Sequence, residues 1–199
     1  MKITFLGSGG GRFATISQKR MTGGFRIDDF GGKNYQVDPG PGALVRSYQF
    51  GVNPTKIDGV FISHSHTDHY NDAEILIEAM TRGMTKNNGI IMGSQSVFEK
   101  VQRWGPAISS YHKSNSKNLI LTPNKIARFP SFTIKGTETR HGDPTGVGFQ
   151  IEMISSPSSK NRICVPIGLV GQQPKQLYCG MAIQGLFIRF IPNNYLMLL

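Results

Sequence analysis

The feature that most limits what this chain can become is an apolar strand that runs directly into a cluster of metal-ligand side chains. Residues 57–63 form a β-branched run with Ile57, Val60, Phe61 and Ile62, the pattern of a strand buried on both faces. His64-Ser65-His66-Thr67-Asp68-His69 follows at once. Next, Ile75, Leu76, Ala79 and Met80 recur at helical spacing, with Asn71 or Asp72 placed to cap the helix and Gly83 to stop it.

Neutral imidazole and carboxylate are good ligands for zinc and related divalent ions. Alternate residues leaving a strand share a face, so His64 and His66 turn to one side. Asp68 and His69 fall at the entry to the helix, where they can face a second ion. A single zinc usually takes two neighbouring residues plus distant partners, so this density of ligand types points to two adjacent ions.

The rest of the N-terminal part alternates strands and turns. Residues 2–6 read as a short strand closed by Gly7, Gly9, Gly10 and Gly11. Residues 25–27 and 35–37 form a strand pair around Gly31-Gly32, and Asp38-Pro39-Gly40-Pro41-Gly42 is a tight loop before a short helix over 43–48. Residues 89–92 are another buried strand. Ser94 caps a helix through Val97, Phe98, Val101 and Trp104 that ends at Gly105-Pro106. Segments 126–129, 132–139 and 146–154 are strand-like, and the middle one delivers His141 at its exit. The sum is a mixed α/β layered fold. Residues 155–199 show no such strand grammar. From residue 153 onward the chain carries Lys160, Arg162, Lys175 and Arg189 but no Asp, Glu or His, an unusual composition for a soluble surface.

With 199 residues the chain suits one domain and needs no disulfide staples. Its formal charge of +10 suits an anionic partner, a nucleic acid or a phosphorylated small molecule. Two cysteines, Cys164 and Cys179, make neither a disulfide framework nor a zinc ribbon. The opening residues have too short an apolar core for a signal peptide, and no apolar run reaches the ~18 residues of a membrane span. A cytoplasmic protein is expected.

These motifs resemble the metallo-β-lactamase fold superfamily, whose signature is His-x-His-x-Asp-His. The resemblance covers most of residues 1–154. Asp38-Pro39-Gly40 matches the family's Asp-x-Gly segment, which supports the metal loop from behind, and His141 in Arg140-His141-Gly142 matches its third histidine. Phe5-Leu6-Gly7-Ser8-Gly9-Gly10-Gly11 is similar to the opening of the branch that holds tRNA 3′-end-processing endonucleases and cyclic-phosphate phosphodiesterases. The resemblance implies a four-layer αββα sandwich, incomplete in its C-terminal half, over residues 1–154. It implies one ion on His64, His66 and His141 and a second on Asp68 and His69, as one or two Zn²⁺ with Mn²⁺ as the alternative. It further implies a metal-activated hydroxide that attacks RNA or a small cyclic phosphodiester, with Asp68 as the catalytic residue that orients it and handles its proton. A homodimer is also expected. No long inserted arm of the kind that clamps tRNA is visible, so both substrates stay open.

The chain departs from the family in two places. The family's bridging aspartate on a later strand and its histidine near the C-terminus have no counterparts, because no Asp follows Asp143 and no His follows His141. Residues 155–199 therefore read as an atypical tail, from a change of reading frame or from divergence. Two alternatives follow: a catalytically impaired metal-binding remnant, and a lactone, thioester or β-lactam hydrolase. Four further readings concern single features. Asp38 supports a ligand histidine rather than binding metal. Asp143 caps a turn before Pro144. His112 is a surface histidine, with a substrate phosphate as its alternative contact. Gly7–Gly11 is either a phosphate cradle or a tight turn.

Overall fold

A six-stranded sheet carries the ligand-rich loop. In this computed structural model, which describes residues 1–154, 162–165, 181–183, 186–190 and 196–198, β1 (Lys2–Phe5), β2 (Phe25–Phe30), β3 (Lys33–Val37), β4 (Gly59–Ile62), β5 (Ile90–Gly93) and β6 (Lys117–Ile120) lie side by side in chain order. The first three strands run antiparallel, and β3 to β6 run parallel. Gly31 and Gly32 turn the β2–β3 hairpin with φ of 58° and 73°, which glycine adopts without a Cβ penalty and which suits the strand twist.

Parallel neighbours need crossovers, and helices supply them. After α1 (Arg12–Ser17), which buries no residue, come α2 (Ala43–Gln49), α3 (Thr67–Tyr70), α4 (Ala73–Thr81), α5 (Gln95–Phe98) and α6 (Ser110–Lys113). A second, antiparallel sheet has the order β10-β9-β8-β7, with β7 (Ile126–Arg128), β8 (Phe132–Glu138), β9 (Val147–Met153) and β10 (Arg162–Val165). Three short strands, β11 (Met181–Ile183), β12 (Leu186–Phe190) and β13 (Leu196–Leu198), form a third sheet. The described backbone after residue 154 thus pairs into strands where the sequence pattern offered none. The pairing rests on backbone hydrogen bonds, which do not require an alternating side-chain pattern.

Strand β4 shows why the apolar run is continuous. Val60 and Ile62 pack with Leu76, Ile77 and Met80 of α4, while Phe61 packs between the two sheets with Val37, Phe132, Phe149 and Ile151. Phe61 lies 5.0 Å from the Tyr35 ring and 5.8 Å from Phe149. These two cores stack helices on the first sheet and the first sheet on the second. Three of the four expected layers are therefore present; the second helical layer is not among the described residues. No described helix is long and apolar enough to cross a membrane.

Two local expectations change. The helix after Ser94 lasts one turn, because the Ser96 and Val97 carbonyls accept from Ala107 and Ile108 on the returning chain instead of from the next helical turn. Asp72 does hold the N-cap position of α4, but its side chain makes no bond there. It accepts from the Leu44 N–H at 3.0 Å, so it caps α2 and ties that helix to the start of α4.

Candidate metal centre

Three neighbouring strand ends build the site. Strand β3 leads into Asp38, β4 into Ser63 and β5 into Ser94, at the carboxyl edge where parallel sheets commonly place their chemistry. The turn between β8 and β9 brings His141 and Asp143 to the same place. The Val147 N–H donates to the Ser63 carbonyl at 3.0 Å and joins the two sheets there.

All five expected ligands meet. His64, His66 and His141 each direct one nitrogen into a group whose atoms lie within 4.8 Å of one another. His64 Nε2 is 3.0 Å from His66 Nδ1; two imidazoles on one tetrahedral zinc place their nitrogens about 3.3 Å apart, from Zn–N bonds of ~2.0–2.1 Å. The His69 ring lies 4.1 Å from that of His64, and its Nε2 is 3.4 Å from Asp68 Oδ2. His66, Asp68, His69 and His141 line a cleft of about 330 Å³ with Gly11, Arg12 and Thr67.

The hydrogen bonds behind the cleft settle which nitrogens face it. Asp38 Oδ2 takes the Ser63 hydroxyl at 2.8 Å and His69 Nδ1 at 2.7 Å. The Ser63 proton is therefore committed to Asp38, and its oxygen accepts from His64 Nδ1 at 2.8 Å. Both histidines carry their proton on Nδ1 and turn Nε2 forward, the arrangement metal-binding histidines use. Asp38 is the supporting carboxylate the sequence suggested, and it acts on two rings. Its loop also explains Gly40: a Cβ there would strike the carbonyl oxygens of Asp68 and Thr22.

Charge suits a cation. Burial, then the neighbouring imidazoles His69, His141 and His66, lower the His64 pKa to about 2, and burial likewise lowers His66 and His141. Three neutral nitrogens therefore converge. Burial works against charge on His69 as well, but Asp38 and Asp68 on its two ring nitrogens outweigh it and raise the pKa to about 10. Burial would raise Asp68; its hydrogen bond to His69, the charge of that ring and the Gly11 N–H at 2.6 Å hold it below the usual carboxylate range instead. A divalent ion would take the place of the proton that His69 and Asp68 share. This donor set of imidazole and carboxylate fits zinc or manganese.

Two residues here were given no part in the site from the sequence, and a third, Asp143, was read only as a turn cap. Arg12 follows the glycine loop directly and reaches the cleft wall. The Trp104 ring lies 4.7 Å from that of His66. Asp143, 1% exposed, does cap its own turn through Thr145 but also bonds Ser65 and Ser96. Burial would raise its pKa; the bonds from Ser96, Ser65 and Thr145 win and lower it to about 2. His112 lies apart, held by Glu78 at 3.0 Å and Ser109 at 2.8 Å, and joins α6 to α4. The glycine loop behaves as a packed turn: the Gly9 N–H donates to Met21, and a Cβ at Gly7 would strike the Met21 backbone.

A strand-end His-x-His-x-Asp-His loop, closed by a distant histidine across two stacked sheets, forms a histidine cluster able to hold a metal ion. Residues 33–179 match the β-lactamase superfamily domain, and the chain belongs to that family. It is 47% identical over 155 residues to the uncharacterized protein MJ1374 of Methanocaldococcus jannaschii, across 77% of this chain and 58% of that protein. It is 25% identical to the ribonuclease Z of the same organism, across all of this chain and 62% of that enzyme. The chain thus spans about three fifths of these relatives' length. Among solved structures, YhfI of Bacillus subtilis, a metallo-β-lactamase fold protein, superposes with a TM-score of 0.55 at 23% identity over 79% of this chain and 58% of its own. The short form of human tRNase Z superposes with a TM-score of 0.55 at 16% identity, over 86% and 71% respectively. The ribonuclease Z relatives agree with the branch suggested by the glycine-rich opening.

Proposed function

We propose that the chain is a metal-dependent hydrolase of phosphodiesters, with RNA or a small cyclic phosphodiester as substrate. The observation that carries this reading is the convergence of His64, His66 and His141 beside the Asp68–His69 pair, on a cleft whose wall includes Arg12. His64, His66 and His141 would hold one ion, and Asp68 and His69 a second. Bound divalent ions supply acidification of water and charge against phosphoryl oxygens.

The chain's own groups do the rest. Asp68 is a weak base because its proton affinity is depressed, so its part is to orient the attacking water through an accepted hydrogen bond. Arg12 presents paired donors suited to a phosphate. Asp38 keeps His69 and, through Ser63, His64 aimed at the cleft. The basic balance of the whole chain favours an anionic substrate, and the ribonuclease Z relatives support RNA as one such substrate.

Purified protein supplied with zinc or manganese is expected to cleave bis(p-nitrophenyl) phosphate, and His66→Ala to abolish that cleavage. Activity that persists in His66→Ala, or turnover of nitrocefin in place of the phosphodiester, would overturn the reading.

A further inference from the structure

The alternation Ser63-His64-Ser65-His66 has a counterpart behind it: each serine gives both its N–H and its hydroxyl to one buried carboxylate. Asp38 takes Ser63, through Oδ1 at 2.7 Å and Oδ2 at 2.8 Å. Asp143 takes Ser65, both bonds falling on Oδ2 at 3.1 and 2.9 Å. Asp143 stands two residues after His141, and its own N–H lies 3.4 Å from His141 Nδ1. Its Oδ2 also accepts from Ser96 Oγ at 2.5 Å, while Oδ1 accepts the Thr145 N–H and hydroxyl, both at 2.9 Å. The Ser96 N–H closes the circuit on Thr145 Oγ1 at 3.1 Å.

We propose that Asp143 is a positioning residue for the three-histidine centre, fixing the peptide between His64 and His66 against the turn that carries His141. Asp38 reaches only the first sheet's side of the site. Asp143 belongs to the second sheet's turn and reaches back to the first, so it alone of the two carboxylates sets the spacing between His141 and the other two rings. Every lone-pair direction on its Oδ2 is used by donors from other segments, so the carboxylate has no freedom to serve as a ligand itself. The role rests on the metal-binding reading of the histidines, and residues that orient ligands typically change metal affinity by ~10–100-fold when altered.

The test compares the wild-type chain with Asp143→Asn and Ser65→Ala by cobalt(II) absorption and by zinc competition against a chromophoric chelator, at a temperature well below each melting point. Asp143→Asn is expected to weaken zinc by ~10–100-fold and to shift the cobalt bands, which report ligand geometry and which a loss of general stability leaves in place. Ser65→Ala removes one of the bonds and is expected to move both readouts in the same direction by less, which covers the case in which Asp143→Asn does not fold. Unchanged affinity and bands in a folded variant would overturn the role of Asp143 while leaving the metal centre standing. Failure of the wild-type chain to bind either ion would overturn both.

Discussion

Replacing Ser63 by alanine removes the oxygen that orients His64, and the cost can be worked from the contacts. Ser63 is 1% exposed, and its hydroxyl makes a 2.8 Å bond to Asp38 and a 2.8 Å bond to His64 Nδ1. Without it, the Nδ1–H of a ring that is 2% exposed has no partner, a loss of about 1–3 kcal/mol. The ring can avoid the loss by moving its proton to Nε2, but that fills the lone pair that faces the cleft. Either route is charged to metal binding, since the ion needs the tautomer that the hydroxyl stabilises. A tenfold change corresponds to about 1.4 kcal/mol, so Ser63→Ala is expected to raise the zinc dissociation constant by ~10-fold or more. Chelator competition near neutral pH measures it, with thermal melting of the metal-free protein run alongside. An unchanged dissociation constant in a folded Ser63→Ala variant would refute the tautomer argument.

Other outcomes follow from the same structure. Gly40→Ala is expected to lower both solubility and zinc content, because its Cβ meets the Asp68 carbonyl. Gly42→Ala meets nothing and costs only the left-handed penalty of about 1–2 kcal/mol at φ 88°; metal analysis and melting curves separate the two. Phe61→Ala empties the space between Tyr35 and Phe149 and is expected to destabilise by about 3–5 kcal/mol in urea unfolding. Burial, then the nearby Asp58 charge, push the Tyr35 pKa up to about 12. The folded value exceeds the unfolded one of ~10, so that contribution is complete below pH ~10 and is lost as pH rises toward the folded value. Alkaline melting should therefore be less steep with pH in Tyr35→Phe.

The candidate cluster was legible because four of its members are consecutive in effect: a strand end, a tight loop and a helix start hold them together by local geometry alone. The β2–β3 hairpin was equally plain from Gly31-Gly32. Asp38 could be assigned to support because it sits in a tight loop after a strand, yet its bond to His69 depends on the Val37–Phe61 register between parallel strands. Asp143 was read only as a turn cap because Asp-Pro-Thr is a local turn pattern; its bonds to Ser65 and Ser96 cross 78 and 47 residues of sequence. The overlong helix after Ser94 failed for a similar reason, since the carbonyls that would extend it are taken by Ala107 and Ile108. Arg12 stands on a helix that buries nothing, so no periodicity announced it.

The seam between the sheets has a thermodynamic consequence. His64 and His66 stand on one side of it, His141 on the other, and the Val147 N–H to Ser63 carbonyl bond joins the two sides there together with the bonds from Ser65 and Ser96 to Asp143. An ion held by all three would rivet the sandwich shut, and loading would add RT ln(1 + [M]/Kd) to the cohesion of the two halves. Chelation should then be felt first as faster amide exchange along β8 and β9, before any change in the hairpin of β2 and β3.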